Sequence, residues 1–267
     1  MPAGVKRFLC DNPVVVPPLR PVRACVLAAA TVVLVASPVA AGRSVPALPS
    51  EIPAATRQRL APVTERAAVA MRVEGTPFRA RPEVFEYLLD HPDFATHVTR
   101  AIKSARYRIW PVPGGFGIDD GWGTVGTFEL VHVAPGLRVM HARGEYKQRV
   151  LPSIRGQAVV TISYAATPTG DGRSTIATAV DGYVTIDNAM IAAAGRLASA
   201  VAHAKAEKEG HRLVKVFART ARAIEENPAA VLEALQQRPD VPPRELEEFR
   251  RLLTRPPPSD PAAAAQH

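Results

Sequence analysis

The sequence predicts an α+β fold in which an antiparallel meander of strands precedes a long C-terminal helix. Five strand-like runs bounded by turn residues follow one another at 107–112, 124–133, 137–146, 158–166 and 173–184. Their connections are too short for crossover helices, so neighbouring strands are expected to pair antiparallel. Apolar residues then recur at helical spacing over residues 187–226, which indicates one long closing helix.

The beginning of the chain has the three parts of a secretory signal. A basic region ends at Arg23, an apolar run covers residues 24–36, and the small residues Val39 and Ala41 precede a cleavage site. The apolar run is shorter than the ~20 residues that a membrane-spanning helix needs. Residues 1–41 therefore predict a protein exported to the periplasm or the extracellular space. If the signal is not cleaved, it leaves an N-terminal membrane anchor.

Residue composition limits the chemistry that the exported part can carry. Cys10 and Cys25 both lie in the signal segment, which excludes disulfides, thiolate metal sites and a cysteine nucleophile from the rest of the chain. No metal-ligand spacing, phosphate-binding loop or Gly-x-Ser-x-Gly elbow occurs, so neither a metal nor a cofactor is predicted. The net charge of +8 is not concentrated in a Lys/Arg tract. It favours loose contact with anionic membranes rather than binding of nucleic acid.

The segments around the meander are also predicted by their residues. Four prolines make residues 42–62 a linker, and residues 64–73 alternate as a first strand. Pro82 and Glu83 suit the first turn of a short helix that ends near Asp90, and Asp93 caps a second one. Two short charged helices at 228–237 and 243–253 lie in a C-terminal extension, residues 227–254. A disordered tail follows at 255–267.

The long helix has apolar positions before and after a polar stretch that contains Gly210. The two apolar sets are out of phase, because the sixteen residues from Val201 to Phe217 place them on different sides of a helix. Either the helix bends at Gly210 or its halves face different partners. A bend would make Gly210 the gate of a binding cavity, and Gly210→Ala should then slow ligand exchange.

Residues 81–94 read Arg-Pro-Glu-Val-Phe-Glu-Tyr-Leu-Leu-Asp-His-Pro-Asp-Phe. This segment resembles the one that follows the first strand in the START-like, helix-grip superfamily of the polyketide cyclase and lipid-transport type. With the order of strands and helices, the resemblance covers about residues 64–226, within a domain predicted at 63–226. It implies a curved sheet wrapped around the long helix, with an apolar cavity that binds lipids, sterols or polyketides. It also implies enzyme activity in a minority of members. The C-terminal extension and Gly210 depart from the family pattern.

Such a cavity would be lined by the apolar faces of the strands and of the long helix. The residues predicted to line it are Phe128, Leu130, Met140, Tyr146, Tyr164, Tyr183, Met190 and Leu197. The tyrosines could equally be core residues with hydroxyls at the rim. If residues 134–136 form a loop, Glu129 lies opposite His141, and the better core face is the opposite one. The pair is then either solvated surface, which this pattern favours, or an acid–base pair in the cavity.

A second polar group comes from the turn that contains Asp119, Asp120 and Trp122. Two carboxylates beside an indole could bind a cation or orient a hydroxyl, but the further ligands of a calcium loop are missing. The alternative is an Asp/Gly turn whose tryptophan covers a sheet edge.

The sequence therefore predicts an exported, non-enzymatic protein that binds or transfers a lipid or another hydrophobic small molecule. One alternative is a cyclase- or hydrolase-like enzyme that uses His141 or Tyr164 within the same cavity. Another is a periplasmic interaction module whose core is filled by its own side chains. Lipid that copurifies with the protein would indicate the carrier, and loss of turnover on His141→Ala would indicate the enzyme. Neither behaviour would indicate the interaction module.

Overall fold

The computed structural model describes residues 47–147 and 153–255, with the backbone alone for residues 188–199. The predicted signal segment, residues 1–41, and the predicted tail beyond residue 255 lie outside the described residues. Within these limits the chain is α+β, with an antiparallel eight-stranded open sheet and six helices. The helices are α1 Ala54–Thr64, α2 Pro82–Asp90, α3 Pro92–Ala101, α4 Asn188–Glu226, α5 Pro228–Gln236 and α6 Pro243–Thr254.

The strands form one antiparallel meander, and the first strand pairs with the last, so that it lies at one edge of the sheet. They are β1 Val69–Glu74, β2 Phe78–Ala80, β3 Arg108–Val112, β4 Gly115–Asp119, β5 Thr124–Ala134, β6 Leu137–Tyr146, β7 Ile154–Pro168 and β8 Ser174–Ile186. Their order is β1-β8-β7-β6-β5-β4-β3, and β2 pairs with β8 next to β1. The predicted meander is confirmed, and two strands absent from the prediction, β2 and β4, complete the sheet.

Strand β4 lies where the sequence predicted only a turn. The turn is limited to two residues, Pro113 and Gly114, because Val112 already pairs with Gly115. Gly114 has a φ of 81°, and proline followed by such a glycine is typical of a type II turn. The glycines of β4 concealed the strand pattern. Both are required, because a Cβ at Gly115 would lie 2.3 Å from the Phe128 carbonyl oxygen and a Cβ at Gly117 would lie 2.4 Å from the indole of Trp110.

The β5–β6 hairpin has the predicted partners but a different turn. Glu129 pairs with His141, as the sequence indicated. The connection contains two residues instead of three, since Ala134 pairs with Leu137. A bulge between Leu130 and His132 absorbs the difference, because it adds one residue to β5.

Helix α1 replaces part of the predicted linker, and the first strand begins later than predicted, at Val69. Leu60 and Val63 of α1 are buried against Val139 and Val159 of the sheet. The sequence concealed this helix because it contains few apolar residues and includes Pro62. The sheet face that α1 covers is called the outer face below.

Helix α4 packs along the opposite, inner face of the sheet and contacts β1, β2 and β8. It continues through Gly210, so the predicted bend there does not interrupt the helix. Gly210 is buried, and a Cβ at this position would lie 2.9 Å from Met71 and 3.1 Å from Val73. The glycine therefore permits close contact between the helix and β1 rather than a break in the helix.

The C-terminal extension belongs to a separate core. Helices α5 and α6 pack on α2, α3 and the end of α4, and the cluster is buried around Phe94, Ile224, Leu235 and Phe249. Phe94 and Phe249 have ring centroids 5.3 Å apart. This core anchors the C-terminal end of α4, leaving the rest of the helix to face the sheet.

Candidate functional site

A cavity of about 460 Å³ lies between the inner face of the sheet and helix α4. Its lining is mainly apolar and comes from the strands and from α2, α3 and α4. The strands contribute Phe128, Met140, Val160 and Ile162, α2 contributes Phe85, Leu88 and Leu89, and α4 contributes Leu213, Val216 and Phe217. A volume of this size is within the ~300–1,000 Å³ typical of small-molecule pockets.

Small residues on the inner face keep this volume open. Gly126, Gly144 and Gly156 lie side by side on β5, β6 and β7, and all three line the cavity. A Cβ at any of them would lie 2.7 Å or less from a carbonyl oxygen of the neighbouring strand. The next row toward the middle of the sheet pairs Ala142 with Ala158. Because both rows consist of small residues, the space that larger side chains would fill remains part of the cavity.

One end of the cavity carries four charged side chains of alternating sign, called the charged cluster here: Asp120, Lys205, Glu209 and Arg212. The Lys205 ammonium donates to Asp120 Oδ2 at 2.5 Å and to Glu209 Oε1 at 3.0 Å. Arg212 donates to the same Glu209 oxygen at 2.5 Å. Asp120 is 4% exposed, so these partners, and not water, stabilise its ionised carboxylate.

Aromatic rings surround the charged cluster. The Lys205 ammonium lies 4.8 Å from the centroid of the Tyr146 ring, and the Arg212 guanidinium lies 3.9 Å from that of Trp122. The Tyr107 hydroxyl donates to Glu209 Oε2 at 3.0 Å. Burial, and then the adjacent Glu209 carboxylate, raise the pKa of Tyr107, so its hydroxyl stays protonated at neutral pH. Cation–π contacts of this kind hold both cations at the edge of the cavity.

The turn between β4 and β5 places Asp120 in this cluster. The backbone N–H groups of Trp122 and Thr124 donate to Asp120 Oδ1 at 2.7 and 3.0 Å. Gly121 and Gly123 have φ values of 73° and 105°, which the turn requires. Burial alone would raise the pKa of Asp120, but the hydrogen bonds from Lys205 and the two N–H groups outweigh it and lower the pKa. Asp120 is therefore an ionised partner for Lys205.

The structure brings together only some of the residues predicted to line the cavity. Phe128, Met140 and Tyr146 line it. Leu130 pairs with Met140 on the inner face but lies outside the lining. Met190 and Leu197 belong to the part of α4 for which only the backbone is described.

Two tyrosines lie elsewhere. Tyr164 is outside the lining: its ring lies edge-on to Phe85 at 5.3 Å, and its hydroxyl donates to Glu86 at 2.9 Å. Tyr183 lies on the outer face, 1% exposed, in the core that α1 covers. Both faces of β8 are largely buried, so the alternation along this strand does not distinguish the cavity face from the outer one.

The predicted polar site is divided between the two faces of the sheet. Asp120 and Trp122 belong to the cavity end, whereas Asp119 accepts from the Gly121 N–H at 2.8 Å within the turn. His141 lies on the outer face, where its Nδ1 is 3.3 Å from Glu129 and its Nε2 is 3.1 Å from Gln157. Because the sheet separates His141 from the cavity, these residues do not form one site.

Four residues at this end of the cavity are not predicted as site residues from the sequence: Tyr107, Lys205, Glu209 and Arg212. The helical residues were interpreted as a polar interruption of the long helix. Their spacing of four and then three places them on one side of α4, which is the signal that could have shown them. Their partner Asp120 is 85 positions from Lys205 in the chain, so the pairing is a product of the fold.

Two further properties concern the described residues as a whole. Nowhere in 47–147 or 153–255 do three or more His, Cys, Asp or Glu side chains converge on a position that could hold a metal ion. Among the helices described, none is both long and apolar enough to span a membrane.

Comparisons with known proteins show structural similarity to uncharacterised proteins. No protein-family model matches the chain, and no curated protein matches it. The structure of a conserved protein from Geobacillus kaustophilus is 14% identical, with a TM-score of 0.34, and covers 59% of this chain and 93% of its own. That of a hypothetical protein from Helicobacter pylori is 11% identical, with a TM-score of 0.29, and covers 63% and 86%.

Proposed function

We propose that this protein binds a lipid or another hydrophobic small molecule in the cavity between the sheet and helix α4, and carries it without transforming it. The observation that supports this proposal most directly is an apolar cavity of about 460 Å³ beside a sheet whose inner face carries one row of glycines and one pair of alanines. Transfer of apolar ligand surface from water to such a lining contributes about 25 cal/mol per Å² before ordering costs.

The shape of the cavity supports an elongated ligand. Its lining residues on α4 extend from Ala202 to Glu225, which corresponds to about 35 Å of helix at ~1.5 Å per residue. A cavity of this volume spread over that length is narrow. An elongated molecule, either an extended chain or a flat dye such as Nile red, fits such a shape better than a bulky, globular one.

The order of elements supports the further proposal that the domain is START-like. A first strand, two short helices, an antiparallel meander and a long helix follow one another, and the first strand pairs with the last. The cavity between sheet and long helix is where that resemblance predicts a hydrophobic ligand. Export, through the signal at residues 1–41, and loose contact with anionic membranes belong to the same proposal.

Binding is favoured over catalysis because the candidate catalytic residues are outside the cavity. His141 is on the outer face, and Tyr164 is held by Glu86 away from the lining. The ionisable side chains at the cavity end, Asp120, Lys205 and Glu209, are paired with one another. A general acid or base must lie within hydrogen-bond reach of the substrate, and neither His141 nor Tyr164 lines the cavity. The remaining alternative, an interaction module with a filled core, is opposed by the volume of the cavity.

The test is a titration of the full-length protein with Nile red, an uncharged dye that fluoresces in apolar surroundings. Ala142→Phe should weaken dye binding by about tenfold or more, because the new ring would occupy the cavity. The matched control is Ala177→Phe on an exposed position of β8, which should bind as the unmodified protein does. Ala158→Leu provides a second cavity-filling variant in case Ala142→Phe does not fold.

The proposal is contradicted by either of two results. One is absence of saturable dye binding to the unmodified protein. The other is a folded Ala142→Phe or Ala158→Leu variant, verified by circular dichroism, that binds as tightly as the Ala177→Phe control.

A further inference from the structure

The charged cluster at the cavity end contains two carboxylates and two cations. Asp120, Lys205, Glu209 and Arg212 are linked by ion pairs of 2.5, 3.0 and 2.5 Å. The side chains of Asp120 and Lys205 are 5% and 15% exposed, so this pair is little screened by solvent. The cluster is therefore electrically balanced at the position where a ligand's polar group would lie.

Other charged residues along the cavity do not disturb this balance. Glu145 pairs with Lys147 at 2.8 Å and with Arg155 at 3.4 Å, at a strand position that alternates with the inner-face Gly144 and Tyr146, and Arg143 is exposed. At the far end of α4, Glu225 is paired with Arg81 and Arg173. In the part of the chain that the structure describes, the charged cluster is therefore the ionised group that a polar head at this end of the cavity would meet.

We infer that the ligand is an uncharged, single-chain amphiphile with a hydroxyl head, which lies against the charged cluster while its chain extends along α4. This inference depends on the proposed function. An ionised head would add an unpaired charge to a cluster whose charges already cancel, and removing that charge from water is costly. Burying a hydroxyl removes the hydration of a neutral group only, and a hydrogen bond to the cluster offsets that free-energy cost.

The cluster keeps hydrogen-bonding capacity for such a head. An ammonium has three donors, and Lys205 uses two of them on Asp120 and Glu209. The Tyr107 hydroxyl donates to Glu209, so its oxygen can still accept. Both residues line the cavity. A ligand hydroxyl can accept from Lys205 and donate to Tyr107, which matches both groups at once.

The apolar lining indicates that the rest of the ligand is an apolar chain, and it indicates where that chain lies. Leu213, Val216 and Phe217 follow the cluster along α4 in the direction of the C terminus, and each lines the cavity. Trp122 at the other side of the cluster is 37% exposed, so the polar end is near the surface. The head of the amphiphile therefore lies toward solvent and its chain toward the interior.

The test compares two ligands that differ only in the head group. Dodecanol and dodecanoate are used to displace Nile red from the full-length protein at a pH at which the carboxylic acid is ionised. Dodecanol should displace the dye at a concentration about tenfold lower than dodecanoate does. Asp120→Asn should reduce or reverse this preference, because it leaves the cluster with one excess positive charge.

A matched variant controls for loss of a buried carboxylate in general. Asp181 is 4% exposed and pairs with Arg72 at 3.0 Å on the outer face. Asp181→Asn should therefore retain the preference for dodecanol. If Asp120→Asn does not fold, Glu209→Gln makes the same change in charge.

The possible outcomes separate this inference from the proposed function. If the unmodified protein binds Nile red but dodecanoate displaces it as well as dodecanol does, the neutral-ligand inference is wrong and the cavity proposal stands. An unchanged preference in the folded Asp120→Asn and Glu209→Gln variants also overturns the inference. If Nile red does not bind at all, the proposed function itself fails.

Discussion

Gly210 of helix α4 lies directly against Met71 of strand β1, and a Cβ at Gly210 would be 2.9 Å from the Met71 methyl carbon. Met71 also contacts Gly182 of β8, where a Cβ would be 2.7 Å away, and lines the cavity. Two glycines on facing elements thus enclose one flexible side chain. The distance between helix and sheet, and with it the shape of the cavity, depends on this contact.

Gly210→Ala is expected to reduce ligand affinity by displacing the end of Met71 into the cavity. A methionine can adjust its rotamer, so the protein should still fold, and alanine adds up to about 1 kcal/mol of helix propensity. Nile red titration and thermal unfolding measure the two effects. In a Met71→Ala background the Gly210→Ala change should not weaken binding. Slower exchange at unchanged affinity would instead support a gate at Gly210.

Lys205→Met is expected to destabilise the protein by about 3 kcal/mol, because Asp120 would remain buried without its cation. Asp120→Asn combined with Lys205→Met should cost less than the sum of the two single changes, since neither charge of the pair remains. Urea unfolding followed by circular dichroism measures the free energies. If the losses of unfolding free energy in the two single variants add up to the loss in the double variant, Asp120 and Lys205 do not stabilise the protein as a pair.

Tyr164 is expected to make stability fall at alkaline pH. Burial, and then its hydrogen bond to Glu86, raise its pKa to about 12. Since the folded pKa exceeds the ordinary value of about 10, the stabilisation is complete below pH ~10 and is lost as pH rises toward ~12. Tyr164→Phe should make the unfolding free energy less dependent on pH in this window. An unchanged slope in urea unfolding at several pH values would contradict this.

His141→Ala is expected to leave ligand binding unchanged, because the imidazole lies between Glu129 and Gln157 on the outer face. Tyr146→Ala, which removes a ring from the cavity lining, should weaken binding in the same Nile red titration. A larger effect for His141→Ala than for Tyr146→Ala would show that the cavity is not where the dye binds.

The order of strands and helices could be predicted because it depends on local signals. Alternation, turn residues and short connections determined the meander, and even the pairing of Glu129 with His141 followed from one hairpin. Strand β4 was missed because Gly115 and Gly117 weaken its pattern, although the fold requires small residues at these positions. Helix α1 was missed because it contains few apolar residues.

The site could be predicted only where one sheet face was clearly apolar. Phe128 and Met140 lie on such a face and line the cavity, whereas Tyr183 lies on a strand with both faces buried. The charged cluster could not be predicted, since it joins a turn to a helix that is distant in the chain. The alternating charges of Lys205, Glu209 and Arg212 were visible, but nothing in the sequence showed which side of α4 faces the cavity.

Native mass spectrometry of the full-length protein, followed by solvent extraction of any bound molecule, tests the central claim most directly. A hydrophobic-ligand carrier should show a discrete added mass that extracts as an uncharged, single-chain lipid. Ala142→Phe should lose this mass, whereas Ala177→Phe should keep it. An unliganded mass for the unmodified protein, with no uptake from a mixed lipid extract, would contradict the carrier function and favour an interaction module.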